Sequence, residues 1–355
     1  MTTTTTTTFG WFLETPGAPL VQRELVLPAP SPTEVVVRVR GCGLCHTDLG
    51  FASGETPPRH ALPLVLGHEI VGDVVAAGDP ASPLLRRTVI VPAVLPCGAC
   101  ELCARGRGNA CTRQTMPGND AHGGFAGHVL VAAAPLVAID PPPEEKDLLS
   151  LAVVADAVST AYQATRRAEL LAGDVAIVVG AGGVGGYVAQ IARALGASVV
   201  AVDVSRQRLD KLAGFGVDRR VAVDGRGVKE LRKEIGGIVK DASAPSHRHK
   251  IFECSGTPQG QQLAFALLGR ASTLVQVGYT PQAVELRLSN LMAHDATVHG
   301  SWGCPPEAYA AVLGLIAKGE VAVAPFVEVA PMSRLNELLD DMAHHRLEQR
   351  MVLTP

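Results

Sequence analysis

The stretch VAIVVGAGGVGGYVAQIARALGASVVAVDVS, residues 175–205, decides the fold of the central part of the chain. Its first five residues are all apolar, which is typical of a strand buried in a parallel sheet. Three glycines at the spacing Gly-x-Gly-x-x-Gly then open a segment with helical apolar spacing, and a second apolar strand ends in Asp203. This order predicts a Rossmann βαβ unit that binds a dinucleotide; a glycine turn without a ligand is the simpler alternative.

Each glycine of this turn has a physical task. Gly180 permits the tight turn, Gly182 lets the backbone approach a pyrophosphate, and Gly185 lets helix and strand pack closely. The helix N-terminus favours the phosphates. A glycine and a tyrosine after a later apolar strand are expected to line the nicotinamide end. The residues expected to contact the cofactor are Gly180, Gly182, Gly183, Val184, Gly185, Asp203, Arg208, Gly278 and Tyr279.

The acid at the end of the second strand bears on the choice of cofactor. Asp203 can accept hydrogen bonds from the adenosine ribose hydroxyls and repels a 2′-phosphate, which favours NAD over NADP. Arg206 and Arg208 follow closely and leave some use of NADP open. NAD is therefore the predicted cofactor.

The sequence on either side of this segment has a different texture. Residues 9–140 are rich in Val, Gly and Pro, with short β-like runs separated by turn signals, which predicts a β-rich body with long loops. Apolar strands alternate with helices from about residue 150, as expected for a parallel sheet. After about residue 297 the pattern is mixed again.

Composition excludes several classes of function. Of the 355 residues, 47% are hydrophobic and 18% charged, and the formal charge is −3, which is typical of a soluble globular protein. This charge gives no global attraction to nucleic acid or to an anionic membrane, and no apolar run is long enough to span a bilayer. The first ten residues, MTTTTTTTFG, lack the pattern of a signal peptide, which predicts a frayed N-terminus and a cytoplasmic location.

Four cysteines lie close together in PCGACELCARGRGNAC, residues 96–111. Short Cys-x2-Cys steps can wrap one tetrahedral ion, and four thiolates close its coordination shell, which predicts a structural zinc site. An iron–sulfur cluster is the alternative, but the seven residues before the last cysteine differ from the ferredoxin spacing. The predicted ligands are Cys97, Cys100, Cys103 and Cys111.

Two further segments carry residue types that bind metals or move protons. They are GCGLCHTDLG, residues 41–50, and LVLGHEIVGDVV, residues 64–75. Each residue is ambiguous alone, because a cysteine in a glycine-rich turn or a histidine between apolar runs is often a core side chain. The residues in question are Cys45, Thr47, Asp48, His68 and Glu69.

Taken in order, these motifs resemble the zinc-dependent medium-chain alcohol dehydrogenase family over essentially the whole chain. The resemblance implies a GroES-like β-rich catalytic domain, residues 1–155 and 298–355 with a zinc lobe at 96–112, around a doubly wound Rossmann domain, residues 156–297. It also implies two zinc ions per chain and a homodimer or homotetramer. The overall fold class is therefore α/β.

The resemblance implies a role for each residue of the second constellation. Cys45 and His68 match ligands of the catalytic zinc, and Glu69 matches an exchangeable ligand beside it. Asp48 matches the carboxylate that orients the histidine ligand. Thr47 matches the hydroxyl that takes the proton of the alcohol.

The third ligand departs from the family pattern. Relatives usually place a cysteine where the segment DAVSTAY, residues 156–162, has Asp156, so the resemblance implies a carboxylate ligand and a harder metal site. Asp156 as the N-cap of the following helix is the alternative. A second departure is Gly50, which stands where many members of the family have a proton-relay histidine; the cofactor ribose, water, a substrate group or His46 remain as routes.

Several stretches resemble more closely the 6-hydroxycyclohex-1-ene-1-carbonyl-CoA dehydrogenases of anaerobic benzoyl-CoA degradation. Examples are MPGNDAHGGFAGH, residues 116–128, and GSWGCPPEAY, residues 300–309. This implies NAD-dependent oxidation of a cyclic hydroxy-enoyl-CoA thioester to the conjugated ketone. Because the β-carbon of a zinc-polarised enone is electrophilic, reversible addition of water across its conjugated double bond is a further expected side activity. Trp302 is a candidate substrate wall or a core or subunit-interface aromatic. Candidate partners for the CoA phosphates are Arg59, Arg105, Arg107, Arg113 and Arg287.

Three other functions remain open at this point. A zinc dehydrogenase of a simple alcohol or polyol fits the same motifs. A zinc-free enoyl or quinone reductase shares the fold but lacks the Cys45 and His68 pair. A regulatory protein that only binds the cofactor has no reason to keep Thr47, Asp48 and Glu69 together.

Overall fold

The computed structural model describes residues 5–79, 82–217, 219–241 and 245–355. They form two compact units. The first runs to Ser159 and includes Gly303–Ala310 and Val323–Pro355, and the second holds Thr160–Trp302 and Ala311–Ala322. The observed limits differ from the predicted domain boundaries by four or five residues, and Ala311–Ala322 belong to the second unit although the sequence analysis assigned them to the first.

The described residues contain consecutive strands in the first unit and mostly alternating strands and helices in the second. The strands are β1 Thr6–Leu13, β2 Val21–Leu27, β3 Glu34–Gly43, β4 Leu64–Val65, β5 Glu69–Ala77, β6 Thr88–Val91, β7 His128–Ala132, β8 Val137–Ala138, β9 Val175–Val179, β10 Ser198–Asp203, β11 Arg219–Ala222, β12 His249–Glu253, β13 Thr273–Gln276, β14 Thr297–Gly300, β15 Val327–Pro331 and β16 Arg350–Thr354. The α-helices are α1 His46–Ser53, α2 Glu101–Ala104, α3 Glu145–Ser150, α4 Ala157–Arg167, α5 Gly185–Ala194, α6 Arg206–Ala213, α7 Val228–Asp241, α8 Pro258–Ala266, α9 Ser289–His294, α10 Tyr309–Ala317 and α11 Leu335–Ala343.

The first unit is built on a seven-stranded sheet in the order β15-β16-β3-β5-β6-β8, with β7 also paired to β3. Strand β3 lies between β16 and β5, and its consecutive valines Val35, Val36 and Val37 are fully buried, as expected for a central strand. Its antiparallel pairing with β5 places Gly43 opposite Glu69. The carboxyl end of β3 and the start of β5 therefore lie side by side, and each is followed or preceded by a predicted metal ligand.

The predicted fraying of the N-terminus is wrong for residues 6–10. Strand β1 begins at Thr6 and pairs with β2 from Thr6↔Leu27 to Phe12↔Val21. β-branched threonines suit a strand, and the buried Phe12 and Leu13 fix its position. The first four residues lie outside the described ranges.

The second unit is a six-stranded parallel sheet in the order β11-β10-β9-β12-β13-β14. Strand β9 is buried along its whole length, as its five apolar residues predict. The strand order reverses between β9 and β12, which is where doubly wound sheets bind ligands at the carboxyl ends of their strands. The Rossmann sheet and the α/β class are thus confirmed.

Within the described part of the chain, no single helix is both long and apolar enough to cross a membrane. Two helical segments, Glu145–Ala155 and Ala157–Arg167, reach the necessary length and composition only when they are counted together, and the chain bends by 49° between them.

Candidate active site

Asp48 is the centre of the loop that follows β3. Its carboxylate is fully buried and accepts a hydrogen bond from the backbone N–H of Cys45 at 3.0 Å, which also caps the first turn of α1. The other oxygen accepts from the Gly67 N–H at 3.1 Å and lies 3.2 Å from His68 Nδ1. One carboxylate thus fixes both the cysteine loop and the imidazole, and turns His68 Nε2 away from itself.

The structure brings Cys45, His68, Glu69 and Asp156 together. One ligand atom from each lies within 4.8 Å of all the others. Asp156 Oδ2 is 3.6 Å from His68 Nε2 and 4.0 Å from Cys45 Sγ. The buried His68 Nε2 has no hydrogen-bond partner among the described residues, and a buried polar atom without a partner is costly. A thiolate, an imidazole and a carboxylate around such an atom fit a divalent metal.

The charge around the imidazole also favours a cation. Burial lowers the pKa of His68, but the carboxylate of Asp48, together with Asp156 and Cys45, raises it well above its usual value. The surroundings of this ring are therefore strongly anionic. A cation bound beside the ring would offset this excess of negative charge.

Asp156 immediately precedes α4, as the helix-capping alternative requires. The run before it forms a 3-10 helix, Leu151–Ala155, in which every residue is buried. The Asp156 side chain is 21% exposed, and its Oδ2 faces Cys45 and His68. If the other carboxylate oxygen of Asp156 caps α4, Oδ2 is still available as a metal ligand.

Glu69 has a partner that the sequence analysis missed. Arg350 on β16 donates a hydrogen bond to Glu69 Oε1, although the two residues are 281 positions apart in the sequence. Burial raises the pKa of Glu69, and Arg350 opposes this shift. Its other oxygen, Oε2, is buried and has no hydrogen-bond partner among the described residues. No local motif marks Arg350, because the contact arises from the position of β16 beside β3.

The predicted proton-relay residues lie on the first turns of α1. Thr47 Oγ1 is half-buried and 3.8 Å from Cys45 Sγ, which places the hydroxyl beside the cluster. His46 is exposed. Gly50 leaves open space, since the nearest atom to a Cβ at this position is Thr56 Oγ1 at 3.9 Å.

The four cysteines of the lobe converge on one point. Their sulfur atoms lie within 4.8 Å of one another, with Cys100 Sγ 3.4 Å from Cys103 Sγ and 3.6 Å from Cys111 Sγ. Four thiolates at about 2.3 Å from a tetrahedral zinc are about 3.8 Å apart, so the set fits this ion. Hydrogen bonds, the strongest from the N–H of Ala99 and others from Cys111 and Cys100, lower the pKa of Cys97 to about 6, and Arg113 Nη2 lies 3.3 Å from its sulfur.

The glycine turn of the second unit is closely packed on one side and open on the other. A Cβ at Gly180, where φ is +90°, lies 2.5 Å from the Ser255 nitrogen, and one at Gly185 lies 1.7 Å from the Gly180 oxygen. Neither position tolerates a side chain. Above Gly182 the nearest atom is Arg208 Nη1 at 3.8 Å. This open backbone fits a pyrophosphate, with Gly183 and Val184 in the turn that leads into α5.

Asp203 is already held by the turn. It accepts from the Ala181 N–H at 2.6 Å and the Ser205 N–H at 2.7 Å, and Arg208 Nη1 lies 3.8 Å away. The acid is 6% exposed. It therefore fastens the glycine turn to the end of β10 at the position where a ribose is expected.

A second buried acid beside this turn was not predicted. Glu253, at the end of β12, accepts from the Ser255 N–H at 2.8 Å and from Gln276 Nε2 at 2.7 Å. It joins the ends of β12 and β13, where a Cβ at Gly278 lies 2.4 Å from the Gly256 nitrogen. Tyr279 is 68% exposed and can reach a ligand. The acid in IFECSG, residues 251–256, was the available signal.

Comparison with known proteins gives two family matches along the chain. Residues 31–141 match the alcohol dehydrogenase GroES-like domain, and residues 183–318 match the zinc-binding dehydrogenase family. Together the two matches cover well over half of the chain, and the GroES-like match precedes the zinc-binding dehydrogenase match. The chain belongs to the zinc-dependent medium-chain alcohol dehydrogenase family. The dehydrogenase is therefore an oxidoreductase with zinc and a nicotinamide dinucleotide as cofactors, and its GroES-like fold is confirmed.

Individual relatives resemble the dehydrogenase over nearly its full length. An alcohol dehydrogenase of Geobacillus stearothermophilus is 29% identical over 93% of this chain and 94% of the relative. Acryloyl-coenzyme A reductase of Metallosphaera sedula is 28% identical over 90% of this chain and 92% of the relative. The solved structure of galactitol-1-phosphate dehydrogenase from Escherichia coli has a TM-score of 0.86 at 24% identity, covering 98% of this chain and 100% of the other, and it shares the fold.

Proposed function

We propose that the dehydrogenase oxidises a cyclic secondary alcohol carried on coenzyme A, 6-hydroxycyclohex-1-ene-1-carbonyl-CoA, to 6-oxocyclohex-1-ene-1-carbonyl-CoA with NAD. The observation that carries the reaction type is the convergence of Cys45, His68 and Asp156 on one point beside Thr47. The substrate rests on the sequence stretches that resemble dehydrogenases of this thioester.

Cys45, His68 and Asp156 are the proposed ligands of the catalytic zinc. Three protein ligands leave a fourth position for the alcohol oxygen, as catalytic zinc sites require. Glu69, held by Arg350, belongs to the same cluster of ligand atoms and would serve as an alternative ligand. When bound, zinc supplies Lewis acidity that lowers the pKa of the alcohol, and NAD supplies the acceptor of the hydride.

The chain's own residues position the groups and move the proton. Asp48 holds His68 through Nδ1, so that Nε2 faces the metal position. Thr47 Oγ1 takes the proton of the alcohol, since its hydroxyl lies beside Cys45. Gly50 offers no side chain to continue the path, so the proton leaves through water, the cofactor ribose or the exposed His46.

The two remaining sites serve stability and cofactor binding. Cys97, Cys100, Cys103 and Cys111 are the proposed ligands of a structural zinc, because four thiolates leave no position for substrate. For the cofactor, Gly182 provides the open backbone for the pyrophosphate, and Asp203 provides the acceptor for the ribose hydroxyls, which selects NAD.

Two observations support a thioester substrate. Acryloyl-coenzyme A reductase is among the relatives, so a chain of this family with this length is named for a CoA thioester. Five arginines of this chain were suggested as partners of the CoA phosphates. Three of them already have partners: Arg59 with Asp120, Arg105 with Glu101 and Arg113 with Cys97. The other two, Arg107 and Arg287, are exposed and have no ion-pair partner among the described residues.

The decisive experiment is steady-state turnover with NAD. We expect kcat/KM for the cyclic hydroxy-enoyl-CoA to exceed that for cyclohexanol and for simple polyols by orders of magnitude. Truncating CoA to pantetheine should raise KM, and Arg107→Gln or Arg287→Gln should raise KM for the CoA ester alone. Arg334→Gln, which changes an exposed arginine that is paired with Glu337, is the control. Comparable efficiency on cyclohexanol favours the relatives' simple alcohol chemistry instead.

We infer that the active form is a homodimer or a homotetramer. Strand β14 is the edge of the six-stranded sheet, and large apolar side chains near it are exposed, including Met292 at 79%, Val298 at 42% and Trp302 at 54%. An uncovered apolar edge strand favours association with a second copy. Light scattering should give two or four chains for the protein and fewer for Val298→Glu. Val75→Glu, at 44% exposure on a strand inside the other sheet, should leave the mass unchanged.

A further inference from the structure

The main chain on both sides of Asp156 is held by buried hydroxyl groups. The Ala155 carbonyl accepts hydrogen bonds from the Ala93 N–H at 3.0 Å and from the Tyr309 hydroxyl at 2.5 Å. Ser159 Oγ lies 3.1 Å from both the Asp156 carbonyl and the Tyr309 hydroxyl. Tyr309 and Ser159 are 1% and 0% exposed. Water therefore does not compete for these bonds.

Tyr309 comes from a distant part of the chain. It lies 154 residues after Ala155, at the start of α10, in a segment that returns to the first unit after the Rossmann sheet. A phenol that only filled core volume could be a phenylalanine. The hydroxyl is instead directed at the peptide group that joins Ala155 to Asp156.

A carboxylate ligand needs this kind of support more than a thiolate does. It has one more rotatable bond than cysteine and two oxygens that can each bind a metal, so its approach depends on where its backbone is held. Cys45 and His68 share Asp48 as their support. The main chain around Asp156 is instead supported by hydrogen bonds from Tyr309, Ser159 and Ala93.

We propose that Tyr309, together with Ser159, is a positioning residue for the third zinc ligand: it holds the Ala155–Asp156 peptide so that the Asp156 carboxylate faces Cys45 and His68. The inference rests on the proposed function, because it takes Asp156 as a ligand. In this role the tyrosine acts through the peptide group and through Ser159, not by binding substrate or metal.

The test is the metal affinity of Tyr309→Phe in the full-length enzyme. Zinc retention is measured by mass spectrometry during dialysis against graded chelator, and the catalytic zinc is then replaced by Co²⁺ for absorption spectroscopy. Partners that orient metal ligands typically contribute about 10- to 100-fold to metal affinity, so we expect a loss of this size at the catalytic site. The four-cysteine zinc should be retained, and the Co²⁺ spectrum should shift.

Ser150→Ala is the matched control. Ser150 is 3% exposed in the same unit and donates to the Asp147 carbonyl at 2.6 Å, so this variant also removes one buried hydroxyl-to-carbonyl bond. Its zinc affinity should stay within twofold of the parent. An equal loss in this control means a general packing effect and overturns the proposal. If Tyr309→Phe does not fold, Ser159→Ala carries the same test, with the same expected direction.

The outcome for Asp156→Asn separates this inference from the proposed function. If Asp156→Asn loses the catalytic zinc while Tyr309→Phe keeps it within twofold and with an unchanged Co²⁺ spectrum, the ligand stands and the positioning role is overturned. If Asp156→Asn keeps its zinc, the ligand set itself is wrong, and the role of Tyr309 is overturned with it.

Discussion

The two metal-binding clusters of this chain differ in how they are assembled. The four sulfurs of the lobe come from Cys97–Cys111, a segment of 15 residues that can wrap an ion by local turns alone. The other cluster draws Cys45, His68 and Asp156 from three parts of the first unit, and each is placed by strand pairing or by a buried hydrogen bond. A local cluster follows from spacing, whereas a dispersed one needs the whole domain. This difference predicts separate responses to substitution.

Asp156→Ala should have the largest effect. Removing one of three ligands should release the catalytic zinc, and turnover should fall on the order of a thousandfold because several kcal/mol of Lewis-acid stabilisation are lost. Metal analysis should show one zinc per chain, retained by the four cysteines. Full turnover with both metals present would identify Asp156 as a helix cap.

Cys103→Ser should act on stability and leave the chemistry in place. Three thiolates hold zinc less tightly than four, and the lobe loses the ion that organises it. We expect the thermal midpoint to fall by roughly 10 °C, which corresponds to about 3 kcal/mol in a domain of this size. Calorimetry and zinc analysis would measure this. Loss of the catalytic zinc in the same variant would show that the two clusters depend on each other.

Asp48→Asn should have an intermediate effect. The amide keeps its size but loses the charge that orients His68 and holds the Cys45 loop. We expect kcat/KM and catalytic zinc affinity to fall by about 10- to 100-fold. Chelator titration gives the affinity, and unchanged retention at the lobe serves as the internal control. An affinity equal to the parent's would mean that Asp48 only caps α1.

Asp156→Cys should have the smallest effect. It introduces the thiolate that the family resemblance implies at this position, so the metal should be kept and kcat/KM should change by no more than about tenfold. The Co²⁺ enzyme should gain a stronger sulfur-to-metal absorption band than the parent. The absence of any spectral change would mean that residue 156 does not reach the metal.

The same contrast explains what the sequence could predict. Spacing alone predicted the glycine turn and the four-cysteine lobe, because both are local. The grouping of Cys45, His68 and Asp156 was predicted only through their order along the chain and the family it resembles. Two contacts had no sequence signal: Arg350 reaches Glu69 through strand pairing, and Tyr309 reaches the Ala155 carbonyl from a returning segment. Such contacts depend on tertiary structure.

The pairing of Glu69 with Arg350 has a consequence for how the protein is made. The two residues are 281 positions apart, and the entire parallel sheet lies between them. At about 5–20 residues per second, Glu69 is synthesised roughly 15 to 55 seconds before its counter-charge Arg350. Burying this carboxylate alone is unfavourable, so we expect the first unit to complete its core only after most of the second unit has been synthesised.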